Sequence, residues 1–141
     1  MLMGEYEHSI DSKGRLIIPS KIRSEIGTTF IITRGLDGCL FGYPMNEWRK
    51  VEEKINQLPV SKKSARSFSR FLFSAADESK IDSQGRVNIP DTLLSYAEID
   101  KKCVIVGVST RIEIWSKDKW DEFSKTAGEE FDDIAEDLID F

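Results

Sequence analysis

Apolar and polar positions change their period repeatedly along this chain, and each change marks a boundary between a strand and a helix. In residues 5–10, Tyr6, His8 and Ile10 alternate onto one face, which predicts a half-buried strand. Leu16, Ile17 and Ile18 form a second short run ending at Pro19, which stands where a helix begins. Ile22 and Ile26 lie four apart, and Gly27 stops the helix they define. Residues 29–33 and 39–43 read as two strands around the turn Arg34-Gly35-Leu36-Asp37-Gly38. Pro44 then opens a helix whose Trp48, Val51, Ile55 and Leu58 make one core-facing stripe.

The same order of elements then repeats. Asp11-Ser12-Lys13-Gly14-Arg15 returns as Asp82-Ser83-Gln84-Gly85-Arg86, each preceded by an isoleucine and followed by a run ending in Ile-Pro. An offset of 71 maintained from Ile10/Ile81 to Pro19/Pro90 marks an internal duplication. In each copy Gly supplies the positive φ of a tight hairpin reversal. The Asp can bond backbone N–H groups further on, and the Arg can pair with that Asp or reach outward. The second copy continues as a helix over 90–97, strands over 103–108 and 112–115, and a helix capped by Ser116 that carries Trp120 and Phe123. Trp48 and Trp120 correspond and are core anchors. Between the copies, residues 61–72 read as a helix with Ala65, Phe68 and Leu72 on one face and Lys62, Arg66 and Arg70 on another. That basic face is either a solvated surface or a contact for phosphates or an acidic surface. Residues 129–141 have Phe131, Ile134, Ala135 and Leu138 at helical spacing, a stripe that something must cover. The organisation is a first repeat over 5–47, a helical connector over 48–75, a second repeat over 76–119 and an acidic helical tail over 120–141.

Charge changes the picture once its distribution is considered. The net charge of -5 argues against a nucleic-acid partner, yet residues 121–141 carry nine acidic side chains and only Lys125. Removing that segment's -8 leaves +3 on the remainder. The two turn regions also differ, because Lys13, Lys21 and Arg23 are replaced by Gln84, Thr92 and Leu94. The first region, 11–23, is therefore +3 and the second, 82–94, is -1. Features shared by both copies serve the fold, whereas the cation cluster of the first copy needs another reason. Lys13 suits a phosphate and Arg15 the O6 and N7 of guanine. One such cluster is weak by itself, since affinity grows with the number of phosphates neutralised, so several copies are needed side by side.

Other chemistry is thin. His8 is the single histidine, no metal-ligand spacing or phosphate-binding glycine loop occurs, and no Ser-His-Asp set can be assembled. An enzyme is disfavoured, and no cofactor or metal is expected. Cys39 and Cys103 lack CxxC spacing and read as small core hydrophobes. No apolar run approaches the ~20 residues of a membrane span, and no signal peptide is visible, which points to the cytoplasm.

The chain resembles the MraZ family of bacterial proteins with two AbrB-like repeats. The resemblance covers essentially its whole length. It rests on the two D-x-x-x-R turns, the Ile-Pro after each, Thr33-Arg34-Gly35-Leu36 with Cys39-Leu40, and Ile112-Glu113-Ile114-Trp115. It implies an α+β, mainly β fold: a duplicated AbrB-like swapped-hairpin barrel with flanking helices, its repeats packed as an internal pseudo-dimer and its subunits in a ring. It also implies a nucleoid-associated transcription regulator that binds double-stranded DNA at short direct repeats upstream of its own division and cell-wall gene cluster. DNA contact falls on the first loop, from Asp11 through Lys13 and Gly14 to Arg15, with Lys21 and Arg23 beside it. Asp82, Arg86, Lys62, Arg66 and Arg70 are secondary candidates, for DNA or for structure. An oligomeric protein-interaction scaffold, or an antitoxin-like binder, is the alternative.

Overall fold

A computed structural model describes residues 1–140. The first half runs β1 (Leu2–Ser9), β2 (Arg15–Ile17), α1 (Ser20–Ile26), β3 (Thr29–Arg34), β4 (Leu40–Pro44) and α2 (Met45–Asn56). After α3 (Lys63–Ala75), the second half repeats the order as β5 (Asp77–Lys80), β6 (Arg86–Asn88), α4 (Asp91–Tyr96), β7 (Lys102–Ser109), β8 (Ile112–Ser116) and α5 (Lys117–Leu138). Pro19, Pro44 and Pro90 each occupy the position before a helix, with φ of -54°, -56° and -58°. Their fixed φ suits the entry to a helix, and no helical N–H bond is forfeited there. Gly27 ends α1 with φ of 89°.

The flanks of the duplicated turn do not form a hairpin with each other. Instead the halves exchange strands. β1 pairs with β7 over its whole length, from Leu2 opposite Ser109 to Ser9 opposite Lys102. Its counterpart β5 pairs with β3. The short returning strands β2 and β6 pair with one another. The expected β3–β4 and β7–β8 hairpins do form, and β4 joins β8 at the centre. The result is a six-stranded antiparallel sheet in the order β1-β7-β8-β4-β3-β5, with a separate two-stranded ribbon β2-β6. The order is symmetric between repeats, as an internal two-fold requires. Length explains part of the exchange: eight-residue β1 finds an eight-residue partner in β7, whereas β2 has only three residues.

Both faces of the sheet are covered, which is why β3 and β7 read as nearly unbroken apolar runs. On one face Phe30, Ile32, Leu40, Ile105, Ile112 and Ile114 meet residues of α1, α4 and the ribbon. On the other, Ile31, Phe41, Tyr43, Val104, Val106 and Trp115 meet Trp48 and Ile55 of α2 and Leu72 of α3. Cys39 and Cys103 are fully buried and free, one in each layer. Burial pushes both thiols up to about 12, so they stay protonated and unreactive across the physiological range.

The two helical patterns at 116–123 and 129–141 join into the single 22-residue α5, continuous through Gly128. Phe141, the end of that expected segment, lies outside the described residues. Ser116 caps this helix by accepting the Lys119 N–H at 3.2 Å. Ser116→Ala should cost about 1 kcal/mol of stability, read as a lower midpoint of urea unfolding with an unchanged slope. Trp120 is only half-buried; it lies 5.5 Å from Trp115 and 5.6 Å from Phe123, centroid to centroid. It therefore anchors the start of α5 on the sheet rather than filling the interior as Trp48 does.

Candidate nucleic-acid interface

The two D-x-x-x-R loops adopt one geometry. In the first, Asp11 Oδ1 accepts the N–H groups of Lys13 and Arg15, both at 2.9 Å, and Oδ2 accepts Arg15 Nε at 2.7 Å. In the second, Asp82 Oδ1 accepts from Gln84 and Arg86 at 2.9 Å, and Oδ2 accepts Arg86 Nε at 2.9 Å. One carboxylate thus closes the turn and aims the arginine. Each clamp uses only Nε, and neither guanidinium makes another hydrogen bond among the described residues. Both terminal –NH₂ groups of each guanidinium stay available to a planar acceptor.

The Arg15 backbone N–H is the main influence holding the Asp11 carboxyl below its usual range, aided by the Arg15 side chain. Asp82 is lowered in the same way by Arg86. A lowered folded-state value means the clamp favours the fold above the ordinary carboxylate range. That contribution is lost only as pH falls through the lowered value, so the loops hold their shape at neutral pH.

The ribbon brings the loops together. Arg15 stands opposite Asn88, and Arg86 opposite Ile17. Residues opposite one another, and residues two apart, share a face. Arg15, Ile17, Arg86 and Asn88 therefore form one outer face, while Leu16 and Val87 are buried beneath it. Reciprocal bonds lock the arrangement: Ile18 N–H donates to the Gly85 carbonyl and Ile89 N–H to the Gly14 carbonyl, both at 2.8 Å. Gly14 and Gly85 have φ of 77° and 79°, a region that side chains resist. A Cβ on Gly85 would also collide with the Arg23 guanidinium. On the first loop a Gly14 Cβ would press on the Asn88 side chain and the Ile89 carbonyl, both at 3.3 Å, while Leu94, the counterpart of Arg23, lies at ordinary contact distance.

Arg23 consequently has an internal task. Its Nη1 donates to the Ile18 carbonyl at 2.7 Å, and the side chain lies over the second loop. Lys13 and Lys21 are exposed, with no ion pair among the described residues. Lys62, Arg66 and Arg70 stand apart, joined to neither loop by any hydrogen bond or ion pair among the described residues. Arg66 Nη1 turns back to the carbonyls of Val60 and Ser61. Ile17 and Asn88 were not singled out from the sequence. Ile17 lay unmarked within the apolar run 16–18, and the register that sets Asn88 beside Arg15 is not a local property. Among the described residues no group of three or more His, Cys, Asp or Glu could hold a metal ion. No described helix is long and apolar enough to cross a membrane.

These features define a two-repeat α+β protein that presents paired, carboxylate-clamped loops on a central ribbon. The family described as "MraZ protein, putative antitoxin-like" matches residues 1–71 and again 72–141. The chain belongs to the MraZ family, which is not a family of enzymes. It is 61% identical over 142 residues to the Transcriptional regulator MraZ of Limosilactobacillus reuteri (strain DSM 20016), covering 100% of both chains. It is 58% identical over 141 residues to that of Ligilactobacillus salivarius (strain UCC118), covering 100% of this chain and 99% of the relative.

Proposed function

We propose that this protein, whose relatives are named transcriptional regulators, is a sequence-specific DNA-binding transcriptional regulator acting in the cytoplasm on the nucleoid. The observation that carries the reading is the β2-β6 ribbon with Arg15 and Arg86 held by Nε and open at Nη. A two-stranded ribbon fits the major groove, and a guanidinium held this way can bond guanine bidentately. Lys13 and Lys21 add phosphate contacts on the first-repeat side. Gln84 and Thr92 replace them on the second, so Arg86 and Asp82 serve mainly the fold. The sheet and ribbon wrap as an AbrB-like swapped-hairpin barrel, and subunits assemble into a ring that sets several first loops side by side. The targets are short direct repeats in the promoter of its own division and cell-wall gene cluster.

The test is an electrophoretic mobility shift on DNA upstream of its own gene at two or more salt concentrations. Log affinity should fall linearly with log salt. Lys13→Ala should weaken binding to all sequences and flatten that slope by about one. An oligomeric scaffold or antitoxin-like binder has its own support in the exposed Phe68 and Phe71 of α3. A folded oligomer giving no shift at low salt would favour it.

A further inference from the structure

Two surfaces of this chain are apolar, charged and uncovered, and they are opposite in sign. The first is the far half of α5. Its start is fixed on the sheet, where Phe123 stacks on Trp115 at 5.2 Å. Beyond it Gly128, Phe131, Ala135 and Leu138 follow at steps of three and four, with Phe131 62% and Leu138 75% exposed. Seven acids lie between 129 and 140, and none is in an ion pair among the described residues. Gly128 is unfavourable inside a helix, and nothing lies within 4 Å of where its Cβ would be. Its own chain gives no steric reason for the missing side chain, whereas a closely packed second helix would.

The second surface is the groove between α2 and α3, a cavity of about 380 Å³. Ile55, Leu58, Val60 and Phe73 give it an apolar floor, and Arg66 and Arg70 border it. Leu58 is 40% and Val60 77% exposed. Lys62 and Lys63 extend the positive side, and the span 60–75 contains no acid. None of these four cations is in an ion pair among the described residues. The groove and the helix also match in size: thirteen-residue α3 and the 124–138 stretch of α5 beyond Phe123 are both roughly 20–23 Å long.

We infer that the far half of α5 docks in the α2–α3 groove of a second copy of this chain. Charge decides against two such helices pairing with each other, since that would bring seven acids against seven. In the fold the helix does not serve its own groove: α5 packs on β7 and β8, α3 packs on β3, and Phe131, Ile134 and Leu138 stay exposed. The contact is therefore heterologous, tail into groove, and each copy offers one of each; such contacts propagate until rotation closes them. This gives the proposed oligomer its contact, and it rests on that part of the functional reading alone.

The experiment measures mass by light scattering after size exclusion, on the full chain without DNA. Three samples are compared: wild type, the tail variant Phe131→Asp, and the groove variant Lys63→Glu with Arg70→Glu. All the substituted residues are exposed, and circular dichroism confirms folding. Wild type should be larger than a dimer, and each variant should fall to the 16.1 kDa monomer. Mixing the variants should restore a single contact, from the tail of the groove variant into the groove of the tail variant, and so stop at a 1:1 heterodimer. A folded variant that keeps the wild-type mass, or monomeric variants that do not combine, would overturn the inference while leaving the ring in place. A monomeric wild type would overturn both. DNA binding is read separately, so its failure does not bear on this result.

Discussion

Arg15→Ala is expected to cost about 1–3 kcal/mol of sequence-specific DNA affinity, a roughly 5- to 150-fold weaker shift, in a protein that remains folded. The loss should concentrate at one base position of the operator, because a bidentate arginine reads one guanine. The geometry supports a discrete effect: Asp11 holds Nε at 2.7 Å and leaves the terminal nitrogens free, so alanine removes a pre-aimed donor pair. Arg86→Ala is the matched control, since Asp82 holds that residue identically at 2.9 Å. Its surroundings differ, with Gln84 in place of Lys13 and Asp91 nearby in sequence. Arg86→Ala should lower stability more than affinity. Should it abolish binding in a folded protein while Arg15→Ala leaves binding intact, the contact belongs to the second loop.

Leu16→Ala should disable the same surface by a different route. Leu16 is fully buried directly beneath Arg15 and Ile17 and pairs with Val87 across the ribbon. Removing a buried leucine side chain typically costs about 2–5 kcal/mol, through lost transfer energy and the cavity left behind. Thermal unfolding should drop by roughly 2–4 °C per kcal/mol for a chain of this size. Any loss of DNA binding should follow the unfolded fraction, with near-normal affinity recovered well below the melting temperature. The two variants thus separate the proposed DNA-reading group from one that holds it in place. A Leu16→Ala protein that melts like wild type would show that the ribbon is not part of the cooperative core.

Much of the architecture was legible because its signals are local. Proline before α1, α2 and α4, glycine in the two duplicated turns and between β3 and β4, and the apolar runs over β3 and β7 located most of the elements. The β3–β4 and β7–β8 hairpins were legible for the same reason. Partners at long range were not. The Asp11 turn looks like the tip of a hairpin, and its internal bonds are those of a tight reversal, yet its flanking strands pair with β7 and β6. Alternation says which face is buried but not against which strand. Charge asymmetry between the copies singled out Lys13, Lys21 and Arg23 together. It did not distinguish the exposed lysines from Arg23, whose guanidinium the Ile18 carbonyl occupies. Arg34 was read only as the start of a turn. In the fold its guanidinium stacks 3.7 Å from the Phe71 ring centroid and bonds the Phe71 carbonyl, tying α3 to the end of β3. That role depends on a residue 37 positions away and leaves no local pattern.

Strand exchange also sets an order in time. β1 is synthesised well before its partner β7, which begins only at Lys102. Until then residues 2–9 have no edge to join, and Leu16 and Ile18 have no β6 or α4 to cover them. The first repeat therefore cannot complete its core while the second is still being made. Closure must wait for a contact about a hundred residues long, the kind that slows folding most. Duplication by itself suggests two autonomous halves folding during synthesis; this chain is committed to folding late and as a whole.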